Sequence, residues 1–329
     1  MLQPDDLIPL PYTSDLTEAG IAYACRSLAY TYNRMNATRF ERLRRIVAGV
    51  ASELALRRWL LAQGIPFDTF GQTDFTRPDH YDIGLAGRRC DLKTFVFTDP
   101  RQIRVLQRQP WQLLQAEALV PLDQHRAHPH AQDIYLFAFV YARMARNRHE
   151  LRRVMKTSQP LYWIHPLPPP WSKPPFWAPL SPLILKSEQE SPLRLELGGQ
   201  DGNGAFHSQR LELPPRTRYV LEAPFFSLLY IHAEKRPLAR LGIRSARFEE
   251  LYLIHPKDWG NIWVYGQEIH LAGWITWEEF NAKGRVLPAG SAVFQYRRTR
   301  TTNLALPVTR LHPLAELLER IRSEKGKNE

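Results

Sequence analysis

The sequence predicts an α/β protein joined to a second, β-rich part, and three observations lead to this class. The first third of the chain alternates helical and strand-like apolar spacing, in the order helix, hairpin, helix, strand. A segment with nine prolines, 160–182, then interrupts that order. Short alternating runs between turn residues follow it, as is typical of small β-sheets.

The first elements follow from apolar periodicity and from turn residues. Apolar residues recur at helical spacing over 16–35 and 38–63, and Gly64 provides a stop signal for the second helix. The segment Tyr81–Phe97 alternates as two strands around a turn at Ala86-Gly87. These positions predict a helix pair followed by a β-hairpin.

The next elements extend the same body. Asp99-Pro100 is a helix N-cap followed by proline at the first helical position, and Pro110 breaks that helix. The dense apolar run 133–140 predicts a buried strand. We therefore expect residues 1–158 to form an α/β body that 257–329 completes. Residues 159–256 would be a Pro-rich arm and a β-rich module, either inserted or a second domain.

Composition and charge restrict the class of protein. Lys and Arg exceed Asp and Glu by 44 to 33 in 329 residues, and arginines dominate the cations. A charge of +11 favours polyanionic partners, with nucleic acid first, although arginine usage can also reflect genome composition. Cys25 and Cys90 are too few for a disulfide framework or a Cys-based zinc site, which fits a reducing cytoplasm. Neither a membrane span nor a signal peptide is expected, and the motifs of zincins, α/β-hydrolases, P-loop NTPases and dinucleotide binders do not occur.

The hairpin brings charged residues together. With Ala86-Gly87 as a two-residue turn, Asp82 lies opposite Asp91, and Lys93 shares the face of Asp91 by the strand period of two. Two like charges opposite each other destabilise a sheet, and a divalent cation would offset that cost. The spacing therefore predicts a carboxylate pair with a neighbouring lysine at a metal site.

A further carboxylate, Glu53, lies at the edge of the apolar stripe of the 38–63 helix. Gly49 and Ala51 keep its surroundings small, and Arg57 follows one helical turn later. Because a buried acid needs a partner, either Arg57 or a metal ion must satisfy Glu53.

A helix glutamate, then an aspartate in one strand, then Asp-x-Lys in the next, resembles the PD-(D/E)XK nuclease superfamily. The matching residues are Glu53, Asp82, Asp91 and Lys93. The literal Pro-Asp pair also occurs at Pro78-Asp79, but strand parity would direct that aspartate away from Asp91. The resemblance implies a restriction-endonuclease-like α/β/α core with a mixed central sheet over roughly 40–145.

The resemblance also implies the chemistry of the site. Asp82 and Asp91 would hold Mg²⁺ (or Mn²⁺) together with the backbone carbonyl of Leu92. Glu53 would complete the metal shell through water or help to bind a second ion. Lys93 would position the attacking water and stabilise negative charge on the phosphate.

The expected function is a metal-dependent endonuclease that hydrolyses phosphodiester bonds, with DNA favoured over RNA. Restriction or phage defence would be its setting, as a homodimer or as a subunit of a defence complex. The alternative is a nucleic-acid-binding or assembly protein that keeps the fold without catalysis. A salt-bridged surface hairpin without function is the simplest competing interpretation of Asp91 and Lys93.

Two further groups of residues are weaker candidates. Arg297, Arg298 and Arg300 form a basic patch that would track phosphates, although a solvated face is an almost equal interpretation. His125, His128 and His130 could be metal ligands, but a solvated loop near the cleft is favoured because no fourth ligand stands nearby.

Overall fold

The structure is a computed structural model of the chain, and it describes residues 1–31, 38–127, 130–248 and 250–325. The helices in these ranges are α1 (Ser14–Ser27), α2 (Arg39–Ala62), α3 (Pro100–Arg108), α4 (Leu122–Ala127), α5 (Arg148–Lys156), α6 (Pro169–Ser172), α7 (Trp277–Lys283) and α8 (Leu314–Lys325). The strands are β1 (Ile8–Leu10), β2 (Ile83–Leu85), β3 (Arg88–Phe97), β4 (Glu117–Pro121), β5 (Ile134–Met144), β6 (Trp163–Pro166), β7 (Leu183–Ser187), β8 (Leu193–Gln200), β9 (Phe206–Leu213), β10 (Arg218–Leu221), β11 (Ser227–Ala233), β12 (Leu241–Ser245), β13 (Tyr252–Ile254), β14 (Gly260–Asn261), β15 (Val264–Thr276), β16 (Arg285–Leu287) and β17 (Asn303–Pro307). Among the described helices, none combines the length and the apolar character that crossing a bilayer requires.

A mixed sheet forms the centre of the first body, with the strand order β1-β15-β5-β3-β2. β3 and β5 run parallel, whereas the other neighbouring pairs are antiparallel. The predicted α/β class with a mixed sheet is confirmed. Beyond Asp91, the outer edge of β3 pairs with no strand among the described residues.

The central strand β5 is buried on both faces, because successive side chains of a strand point to opposite sides. Leu136 and Val140 enter one apolar cluster, while Phe137 and Phe139 enter another. This two-sided burial explains why β5 is a continuous apolar run and not an alternating one.

Helices α1, α2 and α8 cover the first face of the sheet. α2 begins at an N-cap, Thr38, whose hydroxyl accepts the N–H of Glu41. Gly20 of α1 lies against the backbone of Val47, where an added Cβ would come within 2.6 Å of the Val47 carbonyl oxygen. This close approach holds α1 tightly against α2, the helix that carries Glu53.

The opposite face is covered by α3, α7 and a small antiparallel sheet of order β16-β17-β4. β4 comes from the first half of the chain and its partner β17 from the last quarter. The C-terminal residues therefore complete the layers around the central sheet.

The strands between Trp163 and Asn261 form two sheets of their own, of order β14-β6-β11-β8-β9 and β10-β7-β12-β13. A separate apolar cluster fills the space between them. The chain leaves the first body and returns to it at adjacent points, because the N–H of Ile262 donates to the carbonyl of Tyr162 over 3.1 Å. It then continues as β15 into the central sheet. The division into a core and a module stays a prediction.

The first helix differs from its prediction over 16–35. α1 ends at Ser27, where the N–H and the hydroxyl of Thr31 both bond to the Ser27 carbonyl and close a turn. Part of the predicted helix, residues 32–35, lies outside the described residues.

Candidate active site

The β2–β3 hairpin has the register that the sequence predicts. Ala86 and Gly87 have φ angles of 48° and 72°, as a two-residue turn of type I′ requires. Ile83 then pairs with Cys90 and Leu85 with Arg88, so the predicted register is confirmed. Asp82 precedes β2 directly, and its N–H donates to the Cys90 carbonyl over 3.1 Å, which places it beside Asp91.

Asp82 is held by the next strand and by α2. Its Oδ2 accepts the N–H of Leu92 at 2.6 Å, and its backbone carbonyl accepts the guanidinium of Arg57 at 3.0 Å. Burial and the charge of Asp91 raise the pKa of Asp82 to about 6, while Lys93 and the Leu92 N–H act in the opposite direction. A carboxylate with this pKa gains or loses its proton close to neutral pH.

Asp91 and Lys93 form an ion pair, with the lysine Nζ 3.0 Å from the aspartate Oδ2. The ammonium also lies 5.7 Å from the ring centroid of Tyr135, the β5 residue paired with Asp91. Lys93 is therefore directed toward the same face as Asp91, as the strand period predicts.

Glu53 approaches this group from α2. Burial and the charge of Asp82 raise its pKa well above the ordinary value, and the charge of Arg57 opposes that rise. Arg57 thus acts on both acids, through its charge on Glu53 and through its hydrogen bond to the Asp82 carbonyl.

All four residues line one cavity of about 430 Å³, which we name the acidic cavity. Its carboxylates outnumber its cations by five to two. The carboxylates are Glu53, Asp79, Asp82, Asp91 and Asp133, and the cations are Arg89 and Lys93. Residues from α2, the hairpin and β5 therefore meet at one place, although they are distant along the chain.

The position of Asp79 differs from the one expected from the sequence. Strand parity predicted that it would project away from Asp91, but it lines the acidic cavity. The parity argument does not apply because the strand begins only at Ile83. Asp79 Oδ1 accepts the N–H of Thr73 at 2.7 Å, and its charge raises the pKa values of Glu53 and Asp82.

His125 also differs from its expectation as part of a solvated loop. It lies in α4, is 2% exposed, and stacks on Trp277 with ring centroids 4.7 Å apart. Its ring nitrogens lie 3.2 Å from the Tyr135 hydroxyl and 3.2 Å from Asn281 Oδ1. His125 therefore supports the wall of the acidic cavity from behind.

The other two histidines have different outcomes. His130 pairs with Asp133 at 3.1 Å, and His128 lies outside the described residues.

The donor chemistry of the cavity fits a hard divalent cation. Within the described residues, no three His, Cys, Asp or Glu side chains form a ready metal cluster. Mg²⁺ nevertheless needs only one or two carboxylates, because it retains several water ligands. Asp82 and Asp91 are such a pair. Burial and then the charge of Asp91 raise the pKa of Asp82, and a bound cation would offset both effects. The carbonyl of Leu92 remains a prediction as a ligand.

The basic patch lies next to the acidic cavity. Arg298 and Arg300 line a second cavity of about 380 Å³ along the outer edge of β3, which we name the edge groove. Among the described residues, its lining contains no carboxylate and four cations, namely Arg45, Lys93, Arg298 and Arg300. Arg45 and Arg300 are both ion-paired with Glu41, which lies outside this lining. Lys93 faces both spaces, so it stands at the boundary between negative and positive potential.

Sequence reasoning missed Tyr135, Asp133 and Trp277, which line the acidic cavity from β5 and from the C-terminal part of the chain. Only Tyr135 could have been found from its place in the fold, because it lies in the strand parallel to β3 and pairs with Asp91. Comparison of the chain with protein-family models, with curated proteins and with solved structures found no match.

Proposed function

We propose that the protein is a metal-dependent nuclease with a restriction-endonuclease-like core, as its resemblance to the PD-(D/E)XK superfamily implies. One observation carries the proposal: Glu53, Asp82, Asp91 and Lys93 line a single cavity that adjoins a groove without carboxylates. A site for phosphodiester hydrolysis needs carboxylates for a cation, and it needs cations for the phosphate backbone.

Asp82 and Asp91 would hold Mg²⁺ or Mn²⁺ with the Leu92 carbonyl, and Glu53 would act through water or at a second ion. The bound ion would supply Lewis-acid stabilisation of the reacting phosphate. Lys93 orients the attacking water and stabilises the charge that develops on the phosphoryl oxygens. Water forms the new P–O bond as the bond to the 3′ oxygen breaks. The water loses one proton and the leaving 3′ oxygen gains one, which leaves a 5′-phosphate and a 3′-hydroxyl.

The alternative is a nucleic-acid-binding or assembly protein without catalysis. The edge groove serves either function equally well. The acidic cavity favours catalysis, because five carboxylates facing two cations repel a phosphate backbone unless a cation offsets them.

Cleavage of plasmid DNA with Mg²⁺ or Mn²⁺, compared with the same reaction in EDTA, tests the proposal. We expect Lys93→Ala to reduce cleavage by at least about 100-fold, because it removes the group that orients the water. Nucleic-acid affinity should stay within a few-fold, since one cation among many contributes little to the overall field.

Lys186→Ala is the matched control, because Lys186 is an exposed lysine of β7 outside the cavities described. It should leave cleavage unchanged. If purified Lys93→Ala protein cleaves at the wild-type rate, the proposal is wrong and the binding function takes its place.

A further inference from the structure

A further cavity adjoins the edge groove just beyond the end of β3. Arg45 and Arg300 line both the edge groove and a larger space of about 680 Å³, which we name the middle groove. Six arginines face three carboxylates in this space. The arginines are Arg45, Arg143, Arg146, Arg153, Arg297 and Arg300, and the carboxylates are Glu41, Asp99 and Glu150.

The middle groove leads to a fourth space of about 550 Å³, the junction pocket, which shares Glu41, Ala145 and Arg146 with it. Five cations face a single carboxylate, Glu41, in this pocket. The cations are Arg44, Arg146, Arg148, Arg236 and Lys257. The last two come from the β-rich part of the chain, so the pocket lies where the two parts meet.

Two helices begin at the junction pocket. The N-caps Thr38 of α2 and Asn147 of α5 both line it, and each side chain accepts a backbone N–H of its own helix. The partial positive charges of the two helix N-termini add to the charge of the five cations.

The lining of the pocket also contains an unpartnered donor. Trp259 is 4% exposed, and its indole N–H has no hydrogen-bond partner within the described part of the chain. Arg44 has a structural role, since its guanidinium donates to the carbonyl of Asn261 in β14 and to that of Ala145, directly after β5. Arg148 and Lys257 are exposed and stand at the opening.

We propose that the junction pocket binds a backbone phosphate of the nucleic-acid strand whose scissile phosphodiester lies in the acidic cavity. This inference rests on the proposed function and extends it to the course of the substrate. The strand passes through the edge and middle grooves, where cations outnumber carboxylates. Residues 93–98, which run from Lys93 at the acidic cavity to Thr98 in the middle groove, span about 16 Å of this path.

Lysine acetylation in EDTA tests the path without any need for catalysis. The protein is mixed with single-stranded DNA of about 20 nucleotides, a length beyond a typical single-strand site. We expect DNA to protect Lys257, which lies at the far end of the path from the acidic cavity, and to leave Lys186 as reactive as before. The extent of acetylation at each lysine is measured by mass spectrometry.

Binding of the same DNA by a matched pair of double variants gives the second measurement. R148A/K257A removes two exposed cations of the junction pocket, and K186A/R218A removes two exposed cations that face each other across β7 and β10. We expect the first variant to bind more weakly and to lower the slope of log K against log salt by up to about 0.7, from the loss of the one phosphate that the pocket binds. The second should keep the wild-type slope.

Unchanged reactivity of Lys257 in the presence of bound DNA would overturn the inference, as would equal loss of slope in the two double variants. Different results would contradict the proposed function. Protection of Lys257 in a protein that never cleaves would retain the strand path and exclude the nuclease. Cleavage without that protection would retain the nuclease and exclude the path.

Discussion

Asp82 shows the electrostatic cost of the acidic cavity most directly. Its pKa rises from 3.8 to about 6, first because of burial and then because Asp91 lies beside it. The folded state therefore binds a proton on this group more tightly than the unfolded chain does. The stability that Asp82 contributes is greatest below pH 3.8 and is lost as the pH rises through about 6.

Asp82→Asn should remove this pH dependence, because the amide carries no charge and its oxygen can still accept the Leu92 N–H. In EDTA at pH 8, the variant should have a larger free energy of unfolding in urea than the wild type. The difference should vanish near pH 4, where the wild-type carboxyl is protonated.

Asp15→Asn is the control, because the pKa of Asp15 is shifted in the opposite direction. Arg58 lowers the pKa of Asp15 to about 2, so loss of its charge should bring no gain at pH 8. If Asp82→Asn were less stable than the wild type at pH 8, the raised pKa would be refuted.

Magnesium binding gives a second test at the same residues. Mg²⁺ should raise the melting temperature of the wild type, because a ligand that binds only the folded state stabilises it. The shift should be lost in Asp91→Asn, which removes one carboxylate of the pair, and kept in Glu190→Gln, an exposed residue of the β-rich part. An equal shift in all three proteins would place the cation elsewhere.

Asp82, Asp91 and Lys93 could be predicted together from local rules, because they need only a two-residue turn and a period of two. Helical spacing placed Glu53 at the edge of an apolar stripe, and only the resemblance to the PD-(D/E)XK superfamily joined it to the other three. Tyr135 and Trp277 could not be predicted, because they reach the cavity through strand order and through the packing of the C-terminal elements.

At the scale of elements, the hairpin turn determines the geometry of the site. Ala86 has a φ of 48°, a conformation that costs a non-glycine residue roughly 1–2 kcal/mol and that asparagine tolerates better. The turn therefore retains a local strain that a single substitution can relieve.

Ala86→Asn should raise the free energy of unfolding by about 0.5–1 kcal/mol, since Asn-Gly is the preferred pair for this turn. Cleavage should be unchanged, because the side chain at 86 is exposed and lies outside the acidic cavity. Urea unfolding measures the first effect and the plasmid assay the second.

Gly87→Ala is the complementary variant. Gly87 has a φ of 72°, and an added Cβ would meet no atom within 4 Å. The expected loss of about 1 kcal/mol would therefore report backbone strain alone. A neutral Gly87→Ala would contradict the type I′ turn.

Elements with local signals were predicted closely, and those that depend on distant partners were not. α2 and β5 show clear periodicity or an apolar run, and both lie within a few residues of their predicted bounds. β4 was missed because its partner β17 lies about 180 residues later in the chain. α4 is a six-residue helix whose buried His125 resembles a loop residue in sequence.

At the scale of the whole molecule, the distribution of charge matters more than its sum. Although the net charge is +11, carboxylates outnumber cations in the acidic cavity. Cations outnumber carboxylates in the grooves next to it. A polyanion would be attracted to the grooves and admitted to the acidic cavity only with a cation present.

The triple variant of Arg297, Arg298 and Arg300 to alanine tests this arrangement. Affinity for DNA should fall for every sequence, and the slope of log K against log salt should flatten by up to about three units if each arginine meets a phosphate. Fluorescence anisotropy over a salt series measures both quantities.

Lys186, Arg216 and Arg218 are exposed cations of the β-rich part, and their triple alanine variant is the matched control. Its slope should remain that of the wild type. Equal flattening in the two triple variants would mean that binding depends on net charge and not on the grooves.

The adjacent points at which the chain leaves and returns, Tyr162 and Ile262, have a consequence for how such a protein can diversify. Because the N–H of Ile262 donates directly to the carbonyl of Tyr162, the two ends of the intervening residues 163–261 lie side by side. The body that carries the acidic cavity therefore need not change when that stretch changes in length. The stretch could lengthen, shorten or be exchanged during evolution while the chemistry stayed in place. Its faces toward the body would have to be inherited together with it, both at the junction pocket, with Arg236 and Lys257, and at α1 and the turn after it, where Tyr30 donates to Gln200.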